Sequence, residues 1–182
     1  HEGMAVFIDK AVPGDWVDVS VYKKKKSYAE AGIVNLVKPS ENRTEPFCSH
    51  FGTCGGCKWQ YMDYATQLFF KHRQVVEAIR RIGGIENPVV SPVIGSANET
   101  YYRNKLEFTF ANKRWLTKTE MQSSISDLQP ALGYHISGRY DKVLHIDQCF
   151  LQDNLSNEIR NFVFEFCKNH ENLFPFFDLK KQ

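Results

Sequence analysis

The chain has 182 residues, of which 42% are hydrophobic and 24% charged, and its formal net charge at pH 7 is +2. This composition is that of an ordinary globular protein and argues against a disordered or fibrous one. No apolar run approaches the roughly 20 residues that a membrane helix needs, and the first residues lack a secretory pattern. We therefore expect a cytoplasmic protein without a membrane partner.

The first 40 residues read as short strands joined by turns. Alternating apolar residues predict three strands, at Ala5–Ile8, Trp16–Tyr22 and Ala29–Val37. Pro13–Asp15 supplies a turn, and Lys23–Lys26 form a charged hairpin tip. We predict a small antiparallel barrel or sheet at residues 1–40, then a linker and a cysteine-rich loop at residues 41–60.

Two amphipathic helices are predicted in residues 61–182. The first runs from Asp63, which can cap it, to about Ile82, where two glycines follow; the second spans about Asp153 to Asn169. Apolar residues line one face of each helix. They are Leu68, Val75, Val76, Ile79 and Ile82 in the first, and Leu155, Ile159, Phe162, Val163 and Phe166 in the second.

An antiparallel sheet is predicted between these helices, which makes the fold class α+β. Its strands are Leu106–Phe110, Ala131–Ile136 and about Lys142–Ile146, with an extended segment at Val89–Val93. A turn at Ser137–Asp141 and a polar, mobile loop at Thr117–Gln129 connect them. The apolar residues Phe174–Leu179 predict that the chain continues into a larger fold.

Three of the five cysteines lie close together in the pattern C-x5-C-x2-C, as Cys48, Cys54 and Cys57. In a reducing compartment such a cluster indicates metal ligation more than disulfides. The two residues before Cys57 are glycines, which let backbone N–H groups point at sulfur. We expect the fourth ligand at Cys149, just after a predicted strand, and not at Cys167, on an amphipathic helix.

The identity of the metal stays open at this point. Four cysteines satisfy tetrahedral zinc as readily as a cubane iron–sulfur cluster. Zinc sites more often use paired C-x2-C motifs, so one compact triplet completed by a distant cysteine favours iron–sulfur. A metal-free apolar cluster is the third interpretation. His50 competes as a ligand, but we expect it beside the centre or facing solvent.

Short runs spread over nearly the whole chain resemble one known family. They are Pro46-Phe47-Cys48, Gly55-Gly56-Cys57, Gln60-Tyr61, Tyr64, Gln67-Leu68, Lys71, Arg81-Ile82-Gly83-Gly84, Tyr102-Arg103-Asn104-Lys105, Leu132-Gly133-Tyr134-His135 and Ile146-Asp147-Gln148-Cys149. The family is the RNA (uracil-5-)-methyltransferases of the RumA type. Ala5–Ile8 with Val12–Asp15 is similar to its TRAM module, a small RNA-binding barrel of the OB type, here without its usual first strand.

The resemblance implies a [4Fe-4S] cluster on Cys48, Cys54, Cys57 and Cys149, and a central domain that helps to hold the RNA substrate. It implies a parent enzyme that uses S-adenosylmethionine to methylate uridine C5, with 23S rRNA as the expected substrate. The Rossmann-like methyltransferase domain and its nucleophilic cysteine have no match here. We therefore expect no catalytic or S-adenosylmethionine-binding residue in this chain, a methyltransferase domain that follows in cis, and a monomer that is inactive alone.

Single-stranded RNA is held by cations on phosphates and by rings stacked on bases. The candidate cations are Lys23, Lys24, Lys25, Lys26, Lys58, Arg103 and Lys105; the candidate rings are Tyr22, Tyr28, Trp59 and Tyr102. Arg103 and Lys105 would share one face of a strand. The alternative is a solvated hairpin tip for the lysine run and simple solubility for the strand pair.

Two other functions are compatible with these motifs. The first is a zinc-stapled RNA-binding adaptor without catalytic activity. The second is an iron–sulfur redox or radical enzyme, but radical enzymes use a three-cysteine motif of different spacing.

Overall fold

The structure is a computed structural model, and it describes residues 3–123, 129–176 and 178. The chain divides into two compact units, which are His1–Phe47 with Trp59–Ser96, and Cys48–Lys58 with Ala97–Gln182. Residues 124–128 of the predicted loop, and Phe177 and Leu179 of the predicted apolar end, lie outside the described residues. No helix in the described part is long and apolar enough to cross a membrane.

The first unit contains a three-stranded sheet. Its strands are β1 (Ala5–Asp9), β2 (Trp16–Lys24) and β3 (Tyr28–Lys38), in the spatial order β1-β3-β2. The β2–β3 pair is the predicted antiparallel hairpin, but β1 pairs with β3 in parallel. The predicted antiparallel barrel is therefore wrong for the described residues, whose three strands form an open sheet. Three strands are too few to close into a barrel.

Asp15 holds the turn between β1 and β2. Its carboxylate accepts hydrogen bonds from the N–H groups of Val12 at 2.7 Å and Ser40 at 2.9 Å, and it pairs with Arg43 at 2.6 Å. The Asp15 side chain is only 1% exposed. Hydrogen bonding from Arg43 lowers the pKa of Asp15 to about 2, against the opposing effect of burial. The polar segment after β3 is thus fastened to the turn before β2.

The helix α1 (Tyr64–Arg81) has the predicted ends. Asp63 caps its start, because the Asp63 carboxylate accepts hydrogen bonds from both the N–H and the hydroxyl of Thr66 at 2.8 Å. Ile82 is the C-cap residue of α1, and Gly84, two residues later, has a φ of +69°. This left-handed conformation is one that glycine adopts without steric cost.

The apolar face predicted for α1 is covered only in part. The segment after the helix runs beside its first half, where the carbonyl oxygen of Val90 lies 3.2 Å from His72 Nε2. Toward the other end, Val75 is 46% exposed and Ile82 is 89% exposed. Leu68, Val76 and Ile79, from the same predicted face, are half-buried, so the described part of this unit covers that face in part.

The second unit contains the predicted antiparallel sheet. Its strands are β4 (Thr109–Ala111), β5 (Ala131–Ile136) and β6 (Arg139–His145), in that spatial order. Gly138, with a φ of +74°, makes a tighter β5–β6 turn than predicted. The predicted strand Leu106–Phe110 is wrong in its first half, since residues 101–108 have no strand structure. Arg103 and Lys105 therefore do not share a strand face.

A third helix, α2 (Lys118–Gln122), lies in the region predicted to be a loop. It starts with a capping box, in which the Thr117 hydroxyl accepts a hydrogen bond from the Glu120 N–H at 3.3 Å. The Glu120 carboxylate in turn accepts one from the Thr117 N–H at 2.8 Å. Two reciprocal side-chain bonds of this kind stabilise a helix start. The prediction of two helices is wrong, because the described residues form three.

The helix α3 (Asn154–Asn169) begins at the predicted place, and its N-cap is Asp153, whose carboxylate accepts a hydrogen bond from the Leu155 N–H at 2.8 Å. Its buried residues are Asn157, Arg160 and Phe164. The predicted apolar face is exposed instead, with Leu155 at 60%, Ile159 at 55%, Phe162 at 70%, Val163 at 38% and Phe166 at 43%. An amphipathic helix usually packs through its apolar stripe, so the orientation of α3 reverses the common pattern.

Replacing Asp15 tests the ion pair that fastens the first unit. Asp15→Asn should lower the free energy of unfolding by about 2 kcal/mol at neutral pH, since a lowered pKa measures how strongly folding stabilises the carboxylate. Because the folded pKa is depressed, this contribution is complete above the ordinary value of 3.8 and is lost as the pH falls through about 2. Urea unfolding of both proteins across this pH range measures it.

Asp18→Asn is the matched control, because Asp18 is exposed and accepts a hydrogen bond from the Asn35 side chain at 3.1 Å. A surface change of this kind should cost less than about 0.5 kcal/mol. A difference between wild type and D15N that did not shrink at low pH would contradict the assignment.

Candidate metal centre

The cysteine loop, residues 48–58, contacts the part of β5 that β4 leaves unpaired. An isolated antiparallel bridge joins Cys54 to Ile136, and the Gly55 N–H donates a hydrogen bond to the His135 carbonyl oxygen at 3.2 Å. The β4–β5 register pairs Thr109 with Gly133, so residues 106 and 107 would reach this part of β5 if the strand continued. Because the cysteine loop contacts this part of β5, β4 begins only at Thr109.

Two glycines give the loop its close contacts. A Cβ atom on Gly55 would lie 2.8 Å from the His135 carbonyl oxygen, which is closer than side chains tolerate. The N–H of Gly56 donates to the Cys54 sulfur at 3.3 Å. The sequence-based prediction that these glycines would aim an N–H at sulfur is thereby confirmed for Cys54. Such hydrogen bonds stabilise a thiolate.

Cys149 lies buried in the turn after β6, and α3 fixes its backbone. The Cys149 N–H donates to Asn157 Oδ1 at 2.7 Å, and Asn157 Nδ2 donates to the Cys149 carbonyl oxygen at 2.9 Å. Asn157 is itself buried, at 7% exposed. A buried amide that satisfies both polar groups of one peptide residue holds that residue rigidly.

The cysteine loop and Cys149 meet in one apolar cluster. Its buried members are Leu144, Ile146, Cys149 and Leu151, and Cys54 and Cys57 pack against it. Cys167, the alternative fourth ligand, is half-buried on α3 and is not a member of this cluster. The structure therefore brings Cys149 close to the loop, although it lies 92 positions after Cys57 in the sequence.

The Cys54 thiol has neighbouring sulfurs around it. Burial raises the pKa of Cys54 to about 11, against the lowering effect of the Gly56 N–H. Three further thiols raise this pKa, and they belong to Cys57, Cys48 and Cys149. No group of three or more His, Cys, Asp or Glu side chains within the described ranges has an arrangement ready to hold a metal ion. The four sulfurs are thus neighbours, without the closed geometry of a metal site.

Tyr134, on β5, points its hydroxyl into the same place. The oxygen is buried and makes no hydrogen bond of standard geometry. Burial raises the pKa of Tyr134, and the nearby thiols of Cys149 and Cys54 raise it further. Arg103 acts in the opposite direction, so this predicted RNA contact lies within electrostatic range of the cysteine site. A buried hydroxyl without a partner is uncommon in a native protein.

Asp147 connects the cysteine loop with β6. Its carboxylate oxygens lie 3.7 Å from His50 Nε2 and 3.4 Å from His145 Nε2. Burial lowers the pKa of His145, against the raising effect of the Asp147 carboxylate. His50, the competing ligand in the sequence-based interpretation, turns Nε2 toward Asp147, and its Nδ1 is buried without a partner.

The predicted RNA contacts are distributed over both units. Lys23 to Lys26 are exposed in the first unit, where Lys23 and Lys24 end β2 and Lys23 pairs with Glu30 at 2.6 Å. Lys58, Arg103 and Lys105 are exposed in the second unit. Lys105 pairs with Glu107 at 2.9 Å on the surface. The lysine tip is shorter than predicted, because only residues 25–27 connect the strands.

The candidate rings differ in exposure and partners. Tyr102 is 53% exposed, and Tyr22 is 59% exposed, with its hydroxyl donating to Asp9 at 2.6 Å. The Trp59 ring lies 5.9 Å from the Lys71 ammonium group. Tyr102 and Tyr22 therefore offer the more open faces for a stacked base.

Sequence reasoning missed Tyr134, Asn157 and Arg160 around Cys149. Asn157 and Arg160 are three residues apart and share one side of α3, and polar residues of a helix usually face solvent. The available signal was their position on α3. They lie far around the helix from its apolar stripe, so both sides of α3 cannot pack on one sheet.

The comparisons with known proteins agree on one class. No family model matches the chain. The chain is 48% identical over 180 residues, or 98% of its length, to an uncharacterized RNA methyltransferase of Bacteroides thetaiotaomicron. It is 46% identical over 185 residues to another from Porphyromonas gingivalis. The chain spans 39% and 40% of the lengths of these curated relatives.

A solved structure gives the same class. The tRNA (uracil-54, C5)-methyltransferase of Pyrococcus abyssi, in complex with S-adenosyl-L-homocysteine, is similar with a TM-score of 0.54 and 25% identity. The match covers 92% of this chain and 33% of that one. This chain is thus similar, over nearly all of its length, to a part of proteins named RNA methyltransferases.

Replacing Gly55 tests how the cysteine loop docks. Gly55→Ala should lower the free energy of unfolding by about 1–3 kcal/mol, the usual cost of forcing extra atoms into a packed contact. Gly32→Ala is the control, since a Cβ there would meet only the Tyr22 ring, at 3.9 Å. Urea unfolding of the metal-free protein measures both. Equal losses of stability in the two variants would contradict the docking geometry.

Proposed function

We propose that the chain is the RNA-holding part of an RNA methyltransferase that modifies C5 of uridine. The observation that carries this proposal is the 48% identity, over 98% of the chain, to a protein named RNA methyltransferase. The likeness to a tRNA (uracil-54, C5)-methyltransferase supports uracil C5 as the position. The family motifs around the four cysteines and at Tyr102–Lys105 support the same assignment.

The chemistry of the whole protein requires groups that this chain does not supply. Uracil C5 is a poor nucleophile, so a thiolate adds to C6 and makes C5 nucleophilic toward the methyl group of S-adenosylmethionine. A base then removes the C5 proton. The family's nucleophilic cysteine motif and its glycine-rich loop for S-adenosylmethionine have no match in the 182-residue sequence. The proposed part of the chain is to hold RNA, and the chain alone should not methylate it.

Cys48, Cys54, Cys57 and Cys149 would hold a [4Fe-4S] cluster. The donor chemistry fits, because the set consists of four sulfurs, the Gly56 N–H already donates to one of them, and the buried Tyr134 hydroxyl beside them makes no hydrogen bond of standard geometry. A bound cluster supplies iron–thiolate bonds that join the cysteine loop to the turn after β6. In this chain its role is structural, since it fixes the surface that holds RNA.

Zinc is the second candidate for the same sulfurs. Tetrahedral zinc accepts four thiolates, and it would join the loop and Cys149 in the same way. This possibility corresponds to a zinc-stapled RNA-binding adaptor. The compact triplet with one distant cysteine favours iron–sulfur, and counting the metal separates the two.

The proposed RNA contacts are exposed cations, one group in each unit. Lys23 to Lys26, Lys58, Arg103 and Lys105 are exposed, and Arg103 lies within electrostatic range of Tyr134 in the cysteine site. We take 23S rRNA as the substrate, because the family of the motifs points to it. The structural neighbour acts on tRNA by its name, so both RNAs should be compared as ligands.

Metal analysis tests the proposed cluster. Anaerobically purified protein should contain about four irons and four sulfides per chain, whereas the zinc alternative requires about one zinc and no sulfide. Changing Cys48, Cys54, Cys57 or Cys149 to Ser should lower the metal content, and the control Cys167→Ser should keep it. Full metal content in Cys149→Ser, or its loss in Cys167→Ser, would contradict the ligand set.

Salt dependence tests the lysine run as an RNA contact. Replacing Lys23–Lys26 by Gln should reduce the slope of log binding constant against log salt concentration by about 2. Each phosphate contact that is lost removes about 0.7 from this slope. Three contacts are counted, because Lys23 is already paired to Glu30. The control neutralises Lys10, Lys38, Lys113 and Lys168, which are exposed and remove the same charge. Filter binding at several salt concentrations gives both slopes. Equal slopes for the two quadruple variants would contradict the proposed contact of Lys23–Lys26 with RNA.

A further inference from the structure

Arg160 is a buried cation beside the cysteine site. It is 7% exposed, and its guanidinium donates to Asn157 Oδ1 at 2.8 Å, to the Asp147 carbonyl oxygen at 2.6 Å and to Asn161 Oδ1 at 3.0 Å. The guanidinium carbon lies 4.9 Å from the centre of the Phe108 ring. Every one of these partners is electrically neutral, and Nε is buried without a partner.

A buried charge of this kind needs a negative neighbour. Removing an ion from water costs several kcal/mol, which neutral hydrogen bonds offset only in part. In the part of the chain that the structure describes, Arg160 forms no ion pair with a carboxylate. The Asp147 carboxylate is 80% exposed, so water screens its charge.

The remaining acidic groups near Arg160 belong to the cysteine site. Burial lowers the pKa of Arg160, and the acidic groups that oppose this shift are Cys149, Tyr134 and Asp147, with Cys149 the strongest. Asn157 fixes the spacing, because its Oδ1 accepts from both the Cys149 N–H and the Arg160 guanidinium. The cation and the cysteine are therefore positioned by one shared amide.

We propose that Arg160 is the counter-ion of a metal–thiolate centre on Cys149 and the cysteine loop, and that the Tyr134 hydroxyl donates a hydrogen bond to the same centre. This inference rests on the proposed metal site. Four thiolates carry more negative charge than a zinc ion or a resting cubane cluster neutralises, so the loaded centre is anionic in either case. A buried cation and a hydroxyl donor nearby both stabilise an anionic centre.

The inference explains two otherwise costly features. Arg160 is buried with electrically neutral hydrogen-bond partners, and the Tyr134 hydroxyl is buried near the Cys149 sulfur without a hydrogen bond of standard geometry. An anionic centre at Cys149 removes both costs. Arg160 and Tyr134 are thus positioning residues for the metal, and they act on its affinity.

Metal affinity in matched variants tests the inference. Reduced, metal-free protein is titrated with Zn²⁺ against a chromophoric chelator, which gives a dissociation constant whichever metal the cell supplies. Arg160→Met should raise this constant by about 10- to 100-fold, the usual effect of removing a group that supports a metal ligand. Arg160→Lys should recover most of the affinity, because it restores the charge, and Tyr134→Phe should weaken binding by a smaller factor.

Arg139→Met is the matched control, since Arg139 lies on β6, is 56% exposed and pairs with Asp141 at 3.4 Å. It should leave the Zn²⁺ constant unchanged. The free energy of unfolding is measured with and without Zn²⁺, because a purely structural role of Arg160 would cost the same in both states. If metal-free Arg160→Met does not fold, Arg160→Gln, which can still donate to the Asp147 carbonyl, replaces it.

The outcomes separate the inference from the proposed function. A wild-type chain that bound neither Zn²⁺ nor an iron–sulfur cluster would refute the metal site and the counter-ion together. Tight binding that Arg160→Met and Arg160→Gln left unchanged would refute the counter-ion alone. Unchanged Zn²⁺ affinity in Tyr134→Phe would refute the proposed hydrogen bond from the Tyr134 hydroxyl to the centre.

Discussion

The contact between the cysteine loop and β5 determines how the second unit is assembled. The Gly55 N–H bonds to the His135 carbonyl oxygen, and Cys54 bridges to Ile136. This contact brings the loop near Cys149 and leaves residues 101–108 outside the sheet. Two of the proposed RNA contacts, Arg103 and Lys105, lie in that irregular segment. One short interaction between backbone groups therefore positions both the sulfurs and part of the proposed RNA surface.

The helix α3 is the second element that the cysteine site shapes. Its buried side carries Asn157, Arg160 and Phe164, although its other side is strongly apolar. Local rules favour burying the apolar stripe, and exceptions to such rules concentrate at functional sites. Here the polar side is buried because Asn157 holds the backbone of Cys149. The rigid turn around Cys149 thus depends on a helix that packs through polar side chains.

The sequence was sufficient where local chemistry decides the structure. Asp63 and Asp153 mark the starts of α1 and α3 because their carboxylates cap the first turn, and β5 follows from its apolar run. The parallel pairing of β1 with β3 was not predictable, since strand direction depends on contacts between distant segments. The predicted start of β4 at Leu106 is wrong because the cysteine loop contacts β5 at that point. Tyr134 was missed because an aromatic residue in a strand usually belongs to the core.

X-ray absorption at the metal edge of anaerobically purified protein tests most directly whether these sulfurs share one inorganic centre. The account predicts a first shell of sulfur alone, at about 2.3 Å, with neighbouring iron in the next shell if a cluster is bound. It also predicts a lower sulfur count in Cys149→Ser. Nitrogen or oxygen in the first shell of the wild-type protein, or identical spectra for wild type and Cys149→Ser, would contradict it.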